Sequence, residues 1–234
     1  GGSATSADGD GALDDAADAS PTSGDPTYCD PAAGVDPLQG ADCDTLYFGP
    51  DSSLRAITVR ITNETAAAIV VPAHTQPPAL RYFTVAGTMA SRVVATVNDP
   101  CPVEWTPPAC AAFSEDGVAC DAIGHPPNPS VVIEPGAVFE QAWEPLLAAE
   151  AELPAECTPD DEAVSCVTPV VARAGAYQAR SRAYPLATCG PACVCEPNDF
   201  GWCETTGLVE TGEALQATGD WNGQCAVLDV VFTD

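Results

Sequence analysis

The segment Leu54-Arg-Ala-Ile-Thr-Val-Arg-Ile61 is the clearest indication of the fold. Its apolar residues Ile57, Val59 and Ile61 occupy every second position, with small or polar residues between them. Successive side chains of a β-strand point to opposite faces, so this alternation predicts a strand with one buried face. Residues 63–65 (Asn-Glu-Thr) then favour a turn. The segment therefore predicts a half-buried strand that ends in a turn.

Other short apolar runs predict further strands. They cover residues 68–71, 80–85, 92–97, 131–143 with a turn at Pro135-Gly136, 174–182 and 225–232. The region 54–97 is predicted to form a β-meander or part of a Greek key, with Gly87 separating its last two strands. In the strand 174–182, Tyr177 is expected to point inward. Residues 145–152 are rich in Leu and Ala and are expected to form one short helix.

About seven short strands with turn residues between them predict an all-β protein. We expect an antiparallel immunoglobulin-like β-sandwich over residues 29–234. Segments rich in Cys and Pro interrupt it at about 98–129, 153–169 and 184–224, and we expect these to be loop insertions stapled by disulfides. Long loops of this kind are either functional or decorative.

Cysteine content indicates the compartment. The chain has 12 cysteines in 234 residues, and disulfides persist in secreted and periplasmic proteins. We expect all of them to be disulfide-bonded, although connectivity does not follow from sequence. The cysteines are Cys29, Cys43, Cys101, Cys110, Cys120, Cys157, Cys166, Cys189, Cys193, Cys195, Cys203 and Cys225.

Some pairings are locally feasible. Cys157 can pair with Cys166, and Cys101 with Cys110 or Cys120, because each pair is close along the chain. Cys193 and Cys195 are too close to pair easily with each other, so we expect each to have a different partner. The spacings in 189–203 do not match the paired C-x₂-C pattern of a zinc ribbon, which favours disulfides there over a metal site.

The charge restricts the partners. Asp and Glu number 34 against 7 Lys and Arg, which gives a net charge of −27, and every cation is an arginine. So negative a surface repels phosphate backbones and anionic lipids. We therefore expect no nucleic-acid partner and no direct membrane insertion by this chain. Solubility alone is a simpler explanation of the acidic composition.

The first 28 residues differ from the rest of the chain. They consist mainly of Gly, Ser, Ala, Asp, Thr and Pro, and such a segment buries too little apolar surface to offset its ordering entropy. We expect residues 1–28 to be a disordered acidic linker that follows a removed signal peptide. A Gly-Gly-Ser start resembles the tether of bacterial lipoproteins, so a lipid anchor upstream of Gly1 is a hypothesis. A remnant of an expression vector is the rival explanation of these three residues.

A resemblance supports the sandwich. The segment Ile57-Thr-Val-Arg-Ile-Thr-Asn63, the turn Ile133-Glu-Pro-Gly136 with Phe139 and Trp143 after it, and Gly175-Ala-Tyr177 follow in that order. This order resembles bacterial immunoglobulin-like domains of the intracellular proteinase inhibitor type. It also resembles secreted Cys-rich bacterial lipoproteins. The resemblance covers about residues 54–183 and 225–232, and it implies a sandwich but no inhibitory loop, because the Cys-rich insertions depart from the pattern.

The chain offers few groups that indicate catalysis. Its two histidines, His74 and His125, adjoin no nucleophile motif, and no pair among the many carboxylates stands out for hydrolysis. We therefore predict no catalytic residues, no cofactor and no metal ligands. Trp105, Trp202 and Trp221 are expected in loops, where aromatic side chains form either recognition surfaces or small satellite cores.

These observations favour a non-enzymatic binding or structural module that is secreted or held in the bacterial cell envelope. Its partner is expected to be a protein or another envelope component. A secreted protease inhibitor is an alternative, since rigid loops bind proteases tightly. A metal-binding protein or a carboxylate-dependent hydrolase is a second alternative.

Overall fold

The computed structural model describes residues 35–49, 56–74, 81–96, 107–114, 129–189, 193–206 and 212–234. Its helices are short: α1 (Cys43–Phe48), η1 (Cys110–Phe113), η2 (Ala155–Cys157) and η3 (Leu186–Thr188), the last three being 3-10 helices. The strands are β1 (Ile57–Asn63), β2 (Ile69–Pro72), β3 (Thr84–Met89), β4 (Arg92–Thr96), β5 (Ser130–Ile133), β6 (Val138–Trp143), β7 (Leu146–Leu153), β8 (Val164–Val171), β9 (Gly175–Pro185), β10 (Trp202–Thr205), β11 (Leu215–Trp221) and β12 (Leu228–Phe232).

The strands form two sheets that pack face to face as a sandwich. A small sheet has the order β12-β1-β6, and a large sheet has the order β10-β5-β2-β9-β3-β4-β7-β8, with β11 also paired to β9. The pairs are antiparallel except for β1 and β12, which run parallel. The predicted all-β sandwich is therefore confirmed, with one parallel pair that the sequence did not indicate.

The main core lies between the two sheets. β1 buries Ile57, Val59 and Ile61, as its alternation predicts, because each is at most 4% exposed. Aromatic side chains fill the space between the sheets with edge-on ring contacts, which aromatic pairs prefer. These contacts join Tyr82 to Phe139, Phe139 to Trp202, Phe83 to Trp143 and Trp143 to Trp221.

The turn after β1 is built around Asn63, which is fully buried. Its Nδ2 donates to the carbonyl oxygens of Ala67 and Ile133, each at 2.9 Å. Its Oδ1 accepts from both the backbone amide and the hydroxyl of Thr65. Burying a polar group without partners is costly, and here its donors and acceptor are all used. The predicted turn is confirmed, and it links the two sheets.

Of the two arrangements predicted for 54–97, a β-meander or part of a Greek key, the meander is wrong. β1 belongs to the small sheet, whereas β2 pairs with β5 and β9 in the large sheet. Among the described residues of 54–97, only β3 and β4 form a hairpin, and its turn lies at Ala90 and Ser91, both at positive φ, rather than at Gly87. Gly87 lies inside β3, where an added Cβ would come within 2.2 Å of the Ala176 carbonyl oxygen.

The predicted helix at 145–152 is also wrong. These residues form β7, which pairs with β4 and with β8. Leu, Ala and Glu favour helices, but tertiary pairing overrides that weak preference. The buried positions Leu147, Ala149, Ala151 and Leu153 alternate, as a strand requires.

A second apolar cluster lies beside the main core. The helix-side cluster contains α1, η1 and the facing side chains of β7 and β8, and we define it by Leu46, Cys110, Ala151, Leu153, Cys157 and Cys166. Cys43 pairs with Cys157 and Cys110 with Cys166. The locally feasible pairs Cys157–Cys166 and Cys101–Cys110 are therefore wrong, because Cys110, Cys157 and Cys166 bond to other cysteines. The alternative pair of Cys101 with Cys120 lies outside the described residues.

A third cluster covers one face of the large sheet. The loop-side cluster is defined by Val70, Val132 and Cys203, with Leu186, Cys189 and Cys195 packed against them. Its disulfides are Cys189–Cys193 and Cys195–Cys203. Cys193 and Cys195 have different partners, as expected.

The insertions are smaller than the sequence suggests. The segment 184–224 contains β10 and β11, and β8 begins inside 153–169. β11 is an integral strand, since it pairs with β9 from Leu215 to Trp221. Most of the insertion 98–129 and the predicted linker 1–28 lie outside the described residues. Among those described, no helix is long and apolar enough to cross a membrane.

Candidate functional site

The best candidate for a functional site is a loop closed by the Cys195–Cys203 disulfide. These cysteines lie 8 positions apart, and we call residues 196–202 between them the Phe200 hairpin. β10 follows directly and pairs with β5, with Trp202 opposite Ile133 and Cys203 opposite Val132. The hairpin therefore projects from the end of a sheet strand and is crosslinked at its base.

Hydrogen bonds order the hairpin. The Asn198 amide donates to the Trp202 carbonyl oxygen at 2.9 Å, and the Gly201 amide donates to the Asn198 carbonyl oxygen at 2.9 Å. The Asn198 side chain accepts from the Phe200 amide at 2.9 Å and from the Trp202 amide at 3.3 Å. Asn side chains often stabilise turns in this way.

Gly201 fits the hairpin onto the sandwich. Its φ is +79°, a conformation that glycine adopts without strain, and an added Cβ would come within 2.8 Å of the Ala137 side chain. Its carbonyl oxygen accepts from the Glu134 amide at 2.9 Å. Trp202 then packs edge-on against Phe139 of the main core, with ring centroids 5.0 Å apart. The base of the hairpin is thus held by both sheets.

The tip of the hairpin exposes a large apolar side chain. Phe200 is 74% exposed, and Val194, just before the first cysteine of the loop, is 87% exposed. Neither side chain contributes to the buried core. Single exposed apolar residues are common on protein surfaces. Here one exposed apolar residue lies at the tip of an ordered, crosslinked loop, and a second lies just before the loop.

A shallow hollow lies at the other end of β10. We call it the Glu204 hollow; its volume is about 330 Å³, and it is lined by Pro129, Val194, Cys195, Glu204, Thr205 and Thr206. Segment 193–206 carries Glu196, Asp199 and Glu204 and no Lys, Arg or His. Burial, and secondarily the charge of Glu204, raise the pKa of Tyr82 to about 12. Segment 193–206 is therefore acidic.

The three tryptophans predicted to lie in loops have different environments. Trp221 is at the end of β11 and only 6% exposed, so its predicted loop position is wrong. It packs on Tyr177 and Trp143, and its Nε1 donates to the Gln224 carbonyl oxygen at 2.8 Å. Trp202 is the first residue of β10 and is half-buried at the base of the hairpin, so its predicted loop position is also wrong. Trp105 lies outside the described residues.

The cysteines are placed as follows. Eight of them form the four disulfides given above, Cys225 is also disulfide-bonded, and none in the described ranges is a free thiol. Cys29, Cys101 and Cys120 lie outside those ranges. Such bonding is consistent with an oxidising compartment.

His74 is mostly buried at the end of β2. Burial, and then the positive charge of Arg182, lower its pKa below the usual value. Its backbone amide donates to the Arg81 carbonyl oxygen, and its Nε2 is buried with no hydrogen-bond partner. His125 lies outside the described residues. Across those residues, no three His, Cys, Asp or Glu side chains come together as a metal site.

A second hollow of about 360 Å³ lies beside the helix-side cluster. It is lined by Arg92, Glu150, Ala151, Glu152, Ala163, Val164 and Ser165. Arg92 donates to the Asp36 carboxylate at 2.8 Å, and this bond lowers the pKa of Asp36. This hollow is therefore lined by Arg92 as well as by glutamates, whereas Glu204 is the one charged residue among the described residues that line the Glu204 hollow. A glutamate of this second hollow can serve as a control for Glu204.

The Phe200 hairpin was missed by the sequence analysis, which selected Trp202 from the same loop. Its signal is present: Asn198, Asp199 and Gly201 are turn residues, and an aromatic stands among them between two close cysteines. Comparison with protein-family models, curated proteins and solved structures finds no match to this chain. The resemblance to inhibitor-type domains thus rests on its motif residues alone.

Proposed function

We propose that this protein is a non-enzymatic binding or structural module that acts in the extracellular space or the cell envelope of a bacterium. The N-terminal linker tethers it, with a lipid anchor upstream of Gly1 as one form of attachment. The observation that carries the proposal is the Phe200 hairpin, an ordered, disulfide-closed loop with Phe200 74% exposed at its tip.

Rigid loops with exposed aromatic side chains favour binding for a physical reason. A loop that is already ordered loses little conformational entropy when it docks. An aromatic side chain then contributes a large contact area with few rotatable bonds. The disulfides support the proposed compartment, because reducing cytosols rarely maintain them.

The proposal is tested in the organism that produces the protein. Cells are fractionated, and free thiols are alkylated before lysis, so that the compartment and the redox state are read together. We expect the chain in the envelope or the medium with its cysteines oxidised. Recovery in the cytosol with free thiols would contradict the proposed compartment.

Binding is tested by pull-down from detergent-solubilised envelope extract. The matched control keeps Cys195 and Cys203 and replaces residues 196–201 by Gly and Ser. We expect at least one envelope component to be enriched on the wild-type chain and lost on the control. Equal recovery on both chains would show that the hairpin is not the binding element.

A second candidate function is inhibition of a serine protease. The observation in its favour is the same exposed Phe200, since chymotrypsin-type enzymes accept large apolar side chains in their specificity pocket. The test is residual chymotrypsin activity at micromolar protein, with Phe200→Ala as the comparison. Unchanged activity with the wild-type chain would eliminate this candidate for that enzyme class.

A further inference from the structure

We infer that the Phe200 hairpin and the Glu204 hollow together bind a protein surface that presents an apolar pocket beside a lysine or arginine side chain. The inference rests on the proposed binding function and adds the chemistry of the partner. It follows from three features of one end of the molecule: an exposed apolar anchor, an acidic hollow and the distance between them.

Phe200 supplies the anchor. Its backbone is held by the disulfide and by the Asn198 hydrogen bonds, so the side chain is presented at a defined position. Residues that dominate binding energy are typically aromatic and fill a pocket on the partner. An apolar pocket on the partner is therefore the complement of this tip.

The Glu204 hollow supplies the charged contact. Val194 and Pro129 give it apolar walls, and the exposed residue Glu204 lines it together with Cys195, Thr205 and Thr206. Lys and Arg side chains combine an apolar stem with a charged head, and they often lay the stem along apolar surface. A hollow with apolar walls and one carboxylate is complementary to such a side chain.

The two features are close enough to act together. Phe200 and Glu204 are four positions apart in the sequence, so their Cα atoms are at most about 14 Å apart, because an extended chain spans about 3.3–3.6 Å per residue. An ordinary protein interface covers about 800 Å² on each partner. One partner surface of that size therefore contacts both.

Charge favours a basic protein over other partners. Segment 193–206 has three carboxylates and no cationic residue, and the whole chain has a net charge of −27. Nucleic acids and anionic membranes are repelled by such a field, and so is a second copy of this chain. A protein surface with Lys or Arg around an apolar pocket is attracted instead.

The test uses the oxidised full-length chain and a display library of random disulfide-constrained peptides as the probe. Enriched peptides are synthesised, and their dissociation constants are measured on the wild type, Phe200→Ser and Glu204→Gln. Two variants serve as matched controls. Val93→Ser changes another apolar side chain that is 76% exposed, and Glu152→Gln changes an exposed glutamate that lines the second hollow.

We expect the enriched peptides to combine an apolar or aromatic residue with Lys or Arg. Phe200→Ser should weaken them at least about tenfold, as for a binding hot spot. Glu204→Gln should weaken them about two- to fivefold, as should about 0.5 M NaCl, since an exposed ion pair contributes little and is screened by salt. The two controls should change binding by less than about twofold.

Three results would overturn the inference. They are failure to enrich any peptide, peptides without a basic residue, and peptides that bind Phe200→Ser as tightly as the wild type. None of them decides the proposed function, which the fractionation and the pull-down test separately.

Discussion

Cys43–Cys157 and Cys110–Cys166 join residues 114 and 56 positions apart, whereas Cys189–Cys193 and Cys195–Cys203 join residues only 4 and 8 positions apart. A disulfide stabilises a fold mainly by restricting the unfolded chain, and the effect grows with the length of the loop that it closes. Of these four disulfides, the two in the helix-side cluster therefore contribute most to stability.

The loop-side disulfides have a more local effect. They cover the face of the large sheet at Val70 and Val132, and they shape the loop that carries Phe200. The same kind of bond therefore has two roles in this chain. At the helix-side cluster it stabilises the fold, and at the loop-side cluster it orders a surface.

Among the four disulfides whose two cysteines are both described, the largest expected effect comes from removing the one with the greatest sequence separation. Replacing Cys43 and Cys157 by Ala should lower the free energy of unfolding by about 5 kcal/mol, the loop-closure value for so long a loop. α1 should then be held to η2 only by the hydrogen bond from the Tyr47 hydroxyl to the Cys157 carbonyl oxygen and by apolar packing. Urea unfolding followed by tryptophan fluorescence measures the change. If this variant loses no more unfolding free energy than the variant without Cys195 and Cys203, the two clusters do not differ in their contribution to stability.

Removing the short crosslink should cost less. Replacing Cys195 and Cys203 by Ala should lower the free energy of unfolding by about 2.5 kcal/mol, because the loop is short. Hydrogen exchange provides the sharper measurement. The amides of Asn198 and Gly201 should exchange faster, while the Ile61 amide in the middle of β1 should keep its relative protection. Unchanged exchange in the hairpin would show that hydrogen bonds alone hold it.

A pH series tests the polar edge of the helix-side cluster. The hydrogen bond from Arg92 lowers the pKa of Asp36 in the folded protein. Its contribution is therefore present above the unfolded pKa of about 4 and is lost as the pH falls through the folded pKa. Because the pair is partly exposed, Asp36→Asn should cost less than about 1 kcal/mol at neutral pH.

The same variant should match the wild type at about pH 2, where the carboxyl is protonated in both states. Thermal unfolding at the two pH values measures both quantities. A difference that persists at low pH would assign the effect of Asp36 to its bond with the Leu38 amide rather than to Arg92.

The smallest effect on stability is expected for Phe200→Ser. Its side chain is 74% exposed, and surface substitutions usually change stability by less than about 0.5 kcal/mol. Trp202→Ala, two residues away, is the contrast, because Trp202 packs on Phe139 and its loss should cost several times more. Similar losses for both variants, again measured in urea, would mean that Phe200 supports the fold rather than a surface.

The sequence predicts the sandwich well where large apolar residues alternate. β1 and β9 were identified in this way, and Tyr177 of β9 points inward as expected. β7 was missed because its buried positions include Ala149 and Ala151, whose small side chains make a weak pattern among good helix formers. The helix preference of these residues led to the helix prediction, whereas pairing with β4 and β8 makes the segment a strand.

Disulfide pairing was the least predictable property. Cys157 and Cys166 are near each other in sequence, yet they bond to Cys43 of α1 and Cys110 of η1, respectively. Pairing depends on distances in the fold and not on distances along the chain. The candidate site was predicted only in part. The sequence indicates Trp202 because it is a large aromatic residue. Burial of an aromatic residue depends on the neighbouring sheet, and in this fold Trp202 packs on Phe139 whereas Phe200 is exposed.

The parallel pairing of β1 with β12 delays completion of the fold during synthesis. Arg60 of β1 binds Asp229 of β12, and the two residues are 169 positions apart. At about 5–20 residues per second, a ribosome needs about 10–30 s to make the intervening chain. During that time β1 lacks its neighbour β12, and the core that buries Val59 and Ile61 is incomplete. The small sheet therefore cannot be completed until β12 has been made.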